Sequence, residues 1–395
     1  MRELGRRAGL LCIATLVCLW TAQSAAFGQT PGVYVQYQIW YSRGECPTDR
    51  PQVTWAHWSW WSSVDDPCTV ATGLPWMRNI SSPGYPLIGP YASDSPHLLR
   101  WHMRLAKAAG IDGFLVSVFP AIEPAFFRRF ELMLRIAVQE NFKIGLEGWT
   151  PDSAARVGPW RAETMRYIDH FANQSPHRKA LLRIDGKPVF WFNFSARTQA
   201  IDEIAAFFDS VEALWIFSGV MSLDEERELN SRLTRSAAVR QIDYNFPTEQ
   251  GFDVNQNFRR EVRNKLEHGL YAFSHGFPGY DEQVISNKKE RTRRYGLRND
   301  GQTLRDYLRS ARDSGAHGVI VSSWNEWAEM SVIEPGFDAL FRAAEPREEV
   351  YGSDPYAVLK IIAEFTGVAW KAPDLPCHIV DRLLIKHRIL RCRPL

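Results

Sequence analysis

The chain has 395 residues and carries 47 Lys and Arg against 45 Asp and Glu, a formal net charge of +2. That balance excludes the basic footprint of a nucleic-acid-binding protein. The length suits one large domain or two small ones, and no Ser/Gly-rich linker, low-complexity tract or internal repeat divides it.

Arg2, Arg6 and Arg7 precede an apolar run from Ala8 to Trp20, and Ser24 with Ala26, or Ala26 with Gly28, is spaced as a cleavage site. Residues 1–26 therefore read as a secretory signal peptide, too short for a membrane span, with an uncleaved anchor as the alternative. Removing them takes away three Arg and one Glu, so the formal charge falls from +2 to 0. The expected product is secreted or periplasmic, with no stable membrane span after cleavage. Cys12 and Cys18 leave with the leader, and Cys46, Cys68, Cys377 and Cys392 remain. An even count in an exported chain suggests disulfides. Of the possible connectivities, 46 with 68 and 377 with 392 is favoured, because short loops close at least entropic cost. The spacings do not read as a zinc site.

The mature chain opens with a strand over Val33–Tyr41, VYVQYQIWY. A long Trp-rich loop follows from Ser42 to Pro90, and loops of that length inside a compact domain are usually functional. Ser95 before Pro96 caps a helix that runs to about Ala109, with Gly110 at its end. Strand two is Ile111–Phe119, and apolar residues at helical spacing place a helix over 124–140. Strand three is Lys143–Trp149, followed by a helix over 160–173; strand four is Lys187–Phe194, followed by a helix over 200–211. Strand five is Ala213–Val220, with a charged helix over 223–236. Strand six is Ala238–Phe246, with a helix over 255–268. Strand seven is Gly269–Phe277, then the loop PGYDE and a helix over Gln302–Ser314. Strand eight is His317–Ser323, and Tyr356–Phe365 is the last helix. The tail from Lys371 shows no clear periodicity, and its short basic run reads as a solvated face.

Eight strands alternating with helices argue for an α/β protein with a single (β/α)8 TIM barrel over residues 31–370, followed by a tail at 371–395. The competing architecture is an open doubly wound sheet, but no Gly-rich phosphate loop follows strand one. Barrel sites lie at the C-terminal ends of the strands. Polar and aromatic residues gather there: Trp40 and Tyr41, Glu147 and Trp149, Asn193, Tyr244 and Asn245, and His275. Just beyond strand eight stand Ser322, Ser323, Trp324, Asn325, Glu326, Trp327, Ala328 and Glu329. A glutamate beside indoles loses hydration, so its acid form is favoured, and two near carboxylates spread their titrations apart. That is the equipment of an acid and a base for glycosidic bond cleavage. The bland alternative is a pair of solvated glutamates at a helix start, which would have no use for two indoles. Residues three apart on a turn have Cβ atoms about 5–6 Å apart, near the roughly 5–5.5 Å of retaining glycosidases. The 15 Trp of the chain add to this picture, since indoles stack on the apolar faces of sugar rings as well as filling cores.

SWNEWAE (323–329) followed by IEP (333–335) resembles the signature of family 99 glycoside hydrolases and the related family-99-like domains of polysaccharide gene clusters. HWSWW (57–61), GPYASDSPHLLRWHMRLAKAAGIDGFLVS (89–117), DGKPVFWF (185–192), PGYDE (278–282) and NDGQTLRDYL (299–308) match the family in order, so the resemblance covers roughly Val33 to Pro335. It implies a barrel hydrolase without an organic cofactor. It also implies that Glu326 takes the proton of the sugar 2-hydroxyl, giving a 1,2-anhydro sugar, while Glu329 protonates the leaving oxygen and then activates water. The endo-α-mannosidases of the family have His between the Trp and the second Glu; Ala328 here places the chain nearer the family-99-like branch, and Met330 stands where the family has Gly.

Further residues are candidates for substrate binding. Glu147 is the rival second carboxylate, or else a buried structural glutamate. Glu334 either meets a sugar hydroxyl or holds its loop. His57 and Trp58 match a site-lining pair of the family, and Tyr41, Trp149, Asn193, Tyr244, Tyr280, Trp324, Asn325 and Trp327 complete the set; Asp281 lines the site or turns its loop. His102 and His170 are assigned structural roles on helices. The expectation is thus a secreted glycoside hydrolase, resembling families 99 and 71, that cleaves an α-linked polysaccharide or glycan with a Glu/Glu pair. The alternative is a non-hydrolytic carbohydrate-binding or polysaccharide-assembly protein on the same barrel. A metal-dependent hydrolase is disfavoured because no HxH or HExxH spacing occurs.

Overall fold

The computed structural model describes residues 30–44, 46, 55–59, 66–118, 124–149, 154–193, 201–218, 222–242, 254–281, 295–296, 298–338 and 351–394. The leader and Tyr244 lie outside these residues, and of Trp149 and Asn193 only the backbone is described.

Eight parallel strands form the barrel: β1 (Gly32–Gln38), β2 (Gly113–Val118), β3 (Lys143–Trp149), β4 (Lys187–Asn193), β5 (Leu214–Ser218), β6 (Ala237–Arg240), β7 (Phe273–Gly276) and β8 (Gly318–Val321). Each of β1 to β5 pairs with the next, β8 pairs with both β1 and β7, and the order around the sheet is the order along the chain. Between β6 and β7 the described residues show a single bridge, Ile242 to Ser274. There the Ile242 N–H donates to the Phe273 carbonyl at 2.9 Å, and the His275 N–H to the Ile242 carbonyl at 3.2 Å.

The helices outside the barrel are α1 (Pro96–Ala108), α2 (Pro124–Glu140), α3 (Ala154–Asp169), α4 (Ile201–Asp209), α5 (Leu223–Arg232), α6 (Val254–Glu267), α7 (Gln302–Ser314) and α8 (Ala357–Thr366). Their limits follow from local chemistry. Ser95 accepts the Leu98 N–H in front of Pro96, as the sequence predicts for α1. Ser222 and Glu225 form a reciprocal capping box on α5. Gly315, at φ 77°, ends α7 in the left-handed conformation that a side chain disfavours.

The strand periodicity of two divides the core. One set, including Tyr34, Leu115, Val189, Trp191, Leu214, Ile216, Val239, Phe273 and Ile320, packs together inside the barrel. The alternate set, including Val33, Val35, Tyr37, Phe114 and Val116, packs under the helices.

Several boundaries differ from the sequence reading, among them two strand ends and the tail. β1 ends at Gln38 and not Tyr41, because the Asn325 side chain takes both backbone groups of Gln38. β7 begins at Phe273 and not Gly269, because Gly269 and Leu270 still donate to Leu266 and Lys265 as the closing turn of α6. The tail after Lys371 is ordered by more than periodicity. Asp381 caps a short helix, Arg382–Lys386, its N–H donates to the Ile88 carbonyl at 2.8 Å, and Leu384 is buried. Disulfides join Cys46 to Cys68 and Cys377 to Cys392, the local pairing expected from loop closure.

Candidate active site

Along the inward register the barrel changes character. Its lower layers are apolar, but towards the C-terminal ends of the strands the inward positions become Gln36, Ser117, Glu147 and Gln241, all buried. A polar group in such a place needs partners. Glu147 has them: one carboxylate oxygen accepts from Gln36 Nε2 at 2.7 Å, and the other accepts from the Ser117 hydroxyl. Ser117 is its in-register neighbour on β2. Glu147 is therefore a fixed carboxylate under the barrel mouth.

The segment 322–334 leaves β8 and is sewn to β1. Trp324 N–H donates to the Gln36 carbonyl at 2.7 Å. Asn325 Oδ1 accepts the Gln38 N–H at 2.7 Å, and its Nδ2 donates to the Gln38 carbonyl at 2.9 Å and to the Tyr91 hydroxyl at 3.1 Å. The side-chain amide thus behaves as one more peptide unit of the ladder. The Tyr41 hydroxyl donates to the Asn325 carbonyl at 2.7 Å and accepts the Trp327 N–H at 3.2 Å. Ser323 Oγ accepts the Glu326 N–H at 2.7 Å, Ser82 Oγ donates to the Trp327 carbonyl at 2.8 Å, and the Asp281 N–H donates to the Glu329 carbonyl at 2.7 Å. Loops after β1, β7 and β8 all fix the backbone on which Glu326 and Glu329 stand.

Both glutamates are half-buried. Burial, then the nearby Glu329 carboxylate and more weakly Glu147, pushes the Glu326 carboxyl well above its ordinary range, against the pull of the Ala328 N–H. The three carboxylates therefore share one electrostatic neighbourhood. Met330 closes the turn at φ 50°, the left-handed region that suits Gly. Its side chain is buried over Gly84, where an added Cβ would lie 2.4 Å from Met330 Cε.

Glu334 is wholly buried beneath this loop. One carboxylate oxygen accepts from the Tyr91 hydroxyl at 2.6 Å and from Trp327 Nε1 at 2.8 Å. The other lies 3.1 Å from His102 Nε2, and His102 Nδ1 meets the Tyr37 hydroxyl at 2.9 Å. The Tyr351 hydroxyl donates to the Glu334 carbonyl at 2.6 Å. Of the two roles open for Glu334 in the sequence, this is the geometry of loop support.

The structure separates frame from mouth. Trp58, Trp324, Asn325 and Trp327 have at most 1% of their surface exposed. Trp58 packs on Tyr41 and Tyr91 at ring distances of 4.3 and 5.2 Å and donates to the Tyr91 carbonyl; Trp324 packs on His102 and Phe114. They brace the site from behind, as does Tyr41. His57 takes a left-handed φ of 62° and stacks on the half-buried Trp40 at 4.7 Å. Burial, aided by Arg129, lowers its pKa to about 4, so its imidazole is neutral at neutral pH. Tyr280 is buried and stacked on Phe277. Gln36, Ser117 and Tyr91, which hold the carboxylates, were not singled out in the sequence. The signal available was a pair of glutamines on the inward face of an otherwise apolar strand. Among the described residues no group of three or more His, Cys, Asp or Glu is placed to hold a metal ion.

The model of glycosyl hydrolase family 99 matches residues 31–345. Among solved structures the chain is similar to a GH99 endo-alpha-mannosidase from Bacteroides thetaiotaomicron, at 18% identity over 85% of this chain and 96% of that one. The TM-score is 0.63 for its complex with bis-tris-propane and 0.62 for a second structure of the enzyme. A glycoside hydrolase-like protein is similar at 14% identity over 87% of this chain and 96% of that one, with a TM-score of 0.53. No curated protein sequence matches the chain. At these identities the structural likeness speaks for the barrel, and membership rests on the match along the sequence.

Proposed function

The chain belongs to glycosyl hydrolase family 99 and is a glycoside hydrolase, and from that premise we propose that it is exported and cleaves an α-linked polysaccharide or glycan with Glu326 and Glu329. The observation that carries the assignment is the placement of the two carboxyls on one braced turn at the C-terminal mouth of the barrel, with Glu326 pushed upward by burial and by Glu329. A coupled pair of this kind holds one proton between its members over a range of pH. A base of raised pKa is also the better acceptor for a proton from a sugar hydroxyl.

The reaction then runs in two balanced halves. The Glu326 carboxylate takes the 2-hydroxyl proton; the freed oxygen bonds to the anomeric carbon as the glycosidic C–O bond breaks; protonated Glu329 gives its proton to the leaving oxygen. In the second half Glu329 takes a proton from water, the water oxygen bonds to the anomeric carbon, the anhydro C–O bond opens, and Glu326 returns its proton to O2. Configuration is retained overall. Glu147, held by Gln36 and Ser117, serves as a fixed hydrogen-bond acceptor for a substrate hydroxyl below the pair. The export reading rests on the Arg-flanked apolar leader and agrees with two disulfides.

The test is release of reducing ends from a panel of α-mannans, α-glucans and bacterial exopolysaccharides, with proton NMR of the first-formed anomer. Wild type should release the α-anomer first, and Glu326→Gln and Glu329→Gln, folded by circular dichroism, should release nothing. A β-anomer as first product would sink the anhydro route. Undiminished activity in either variant would sink the carboxylate assignment.

A further inference from the structure

A concave feature lies where the segment after β1 meets the C-terminal tail. It is a cleft of about 890 Å³ lined by Arg43, Trp55, Arg78, His378 and Arg382 together with one cysteine of each disulfide, Cys46 and Cys377. The chain has brought three arginines from distant segments to one place.

The acid beside them is fully engaged. Asp381 is completely buried; its Oδ2 accepts from Arg78 Nε at 2.6 Å and Arg43 Nη2 at 3.3 Å, and its Oδ1 accepts from the Leu383 N–H at 2.9 Å and Arg78 Nη2 at 3.4 Å. Asp381 pairs with Arg43 and Arg78, and Arg382 adds a third guanidinium to the lining, so these four groups together carry an excess of two positive charges. Arg382 is exposed and makes no hydrogen bond or ion pair among the described residues. Arg43 uses one of its nitrogens, and its side chain is 35% exposed.

The cations are also pre-oriented. Arg43 and Arg78 stand 6.0 and 5.5 Å from the centre of the buried Trp55 ring, and both are tied to Asp381. Planar guanidiniums fixed in advance lose little further freedom when an anion arrives, and they bind carboxylate, sulfate or phosphate oxygens in pairs. The disulfides Cys46–Cys68 and Cys377–Cys392 hold the two segments that form the walls.

We propose that this cleft is a binding site for an acidic sugar residue: a uronate, or a sugar bearing a sulfate or phosphate ester, on the glycan that the enzyme engages. The choice of a sugar rests on the glycan-hydrolase reading and on position. Arg43 follows Tyr41 by two residues, a reach of at most about 7 Å, and the Tyr41 hydroxyl holds the Glu326 loop. The basic tail, read from sequence as a solvated face, supplies Arg382 to this wall.

The experiment is calorimetric titration of the full chain with hexagalacturonate, a sulfated galactan hexamer and phosphorylated mannohexaose, each beside its uncharged parent and beside sodium sulfate alone. At least one charged oligosaccharide should bind more tightly than its parent, and Arg382→Ala should weaken it about tenfold, the loss of one charge-assisted contact. The parent's binding should not change. Arg382 supports no other group, so the variant folds. Equal binding of charged and uncharged forms, or no effect of Arg382→Ala, overturns the site. Sulfate binding as tightly as the best oligosaccharide leaves a general anion site and overturns the sugar assignment. Reducing-end release, measured separately, keeps the outcomes apart: binding can fail while hydrolysis stands, and the reverse.

Discussion

Glu334 gives the sharpest test of how the loop bearing Glu326 and Glu329 is held. Replacing it with alanine leaves the Tyr91 hydroxyl and Trp327 Nε1 facing an empty buried space, at sites now 2.6 and 2.8 Å from an oxygen. An orphaned buried donor costs about 1–3 kcal/mol, and neighbours are not additive, so the expected loss is about 4–5 kcal/mol. Glutamine is gentler. Its oxygen can keep Tyr91 and Trp327, and its amide can donate to His102 if the imidazole proton moves to Nδ1 and points at Tyr37. Two charge-assisted bonds become neutral ones, a loss of about 2 kcal/mol. At about 2 °C per kcal/mol for a domain of this size, the melting temperature should drop by about 4 °C for glutamine and about 9 °C for alanine. Trp327 stands between Glu326 and Glu329, the proposed catalytic pair, so Glu334→Gln should lower kcat about tenfold with KM nearly unchanged. Differential scanning calorimetry and steady-state kinetics on the glycan found active read both. If alanine shifts the melting temperature by less than about 1 °C, the carboxylate does not support the loop. If glutamine raises KM and spares kcat, Glu334 touches the sugar instead.

Other outcomes follow from the same geometry. Because burial raises the Glu326 carboxyl, the native state binds its proton more tightly than the unfolded chain. Stability is therefore lost as pH rises from the ordinary carboxylate range through the raised value. Glu326→Gln removes that loss, so the variant should melt above wild type at pH 7 and converge on it near pH 4 in a calorimetric pH series. Replacing Cys46 and Cys68 with Ser opens a loop of sequence separation 22, and denaturant titration should show a loss of about 3 kcal/mol. Met330→Gly relieves the left-handed φ of 50° by about 1 kcal/mol but removes a buried side chain worth about 2–3 kcal/mol, so it should destabilise on balance. A stabilised variant would show that the packing on Gly84 contributes nothing.

The barrel was legible because alternation of strand and helix is written in periodicity, and periodicity depends on neighbours a few residues apart. The pair Glu326 and Glu329 was legible for a similar reason, since it is a local motif beside indoles. What could not be read was the division of labour among the aromatics. Trp58, Trp324 and Trp327 look alike in sequence to sugar-stacking residues, yet they are sealed by partners such as Tyr91, His102 and Phe114 that lie far along the chain. The end of β1 was misplaced for the same cause: Asn325, nearly three hundred positions away, takes the hydrogen bonds of Gln38. The tail carried its information in one residue, Asp381, whose capping and ion pairs depend on Arg43 and Arg78.

The meeting of β6 and β7 has a consequence for motion. Elsewhere around the barrel, adjacent strands share ladders of four or more residue pairs, whereas here the described residues share the single bridge from Ile242 to Ser274. A junction whose described residues share so few backbone bonds should open more readily than the long ladders around it. Amide hydrogens at Ile242 and His275 should exchange with solvent ahead of those in β1, β2 and β3. The two sides would then part as a clasp does, and the C-terminal end of the barrel could widen without any strand of the opposite wall letting go.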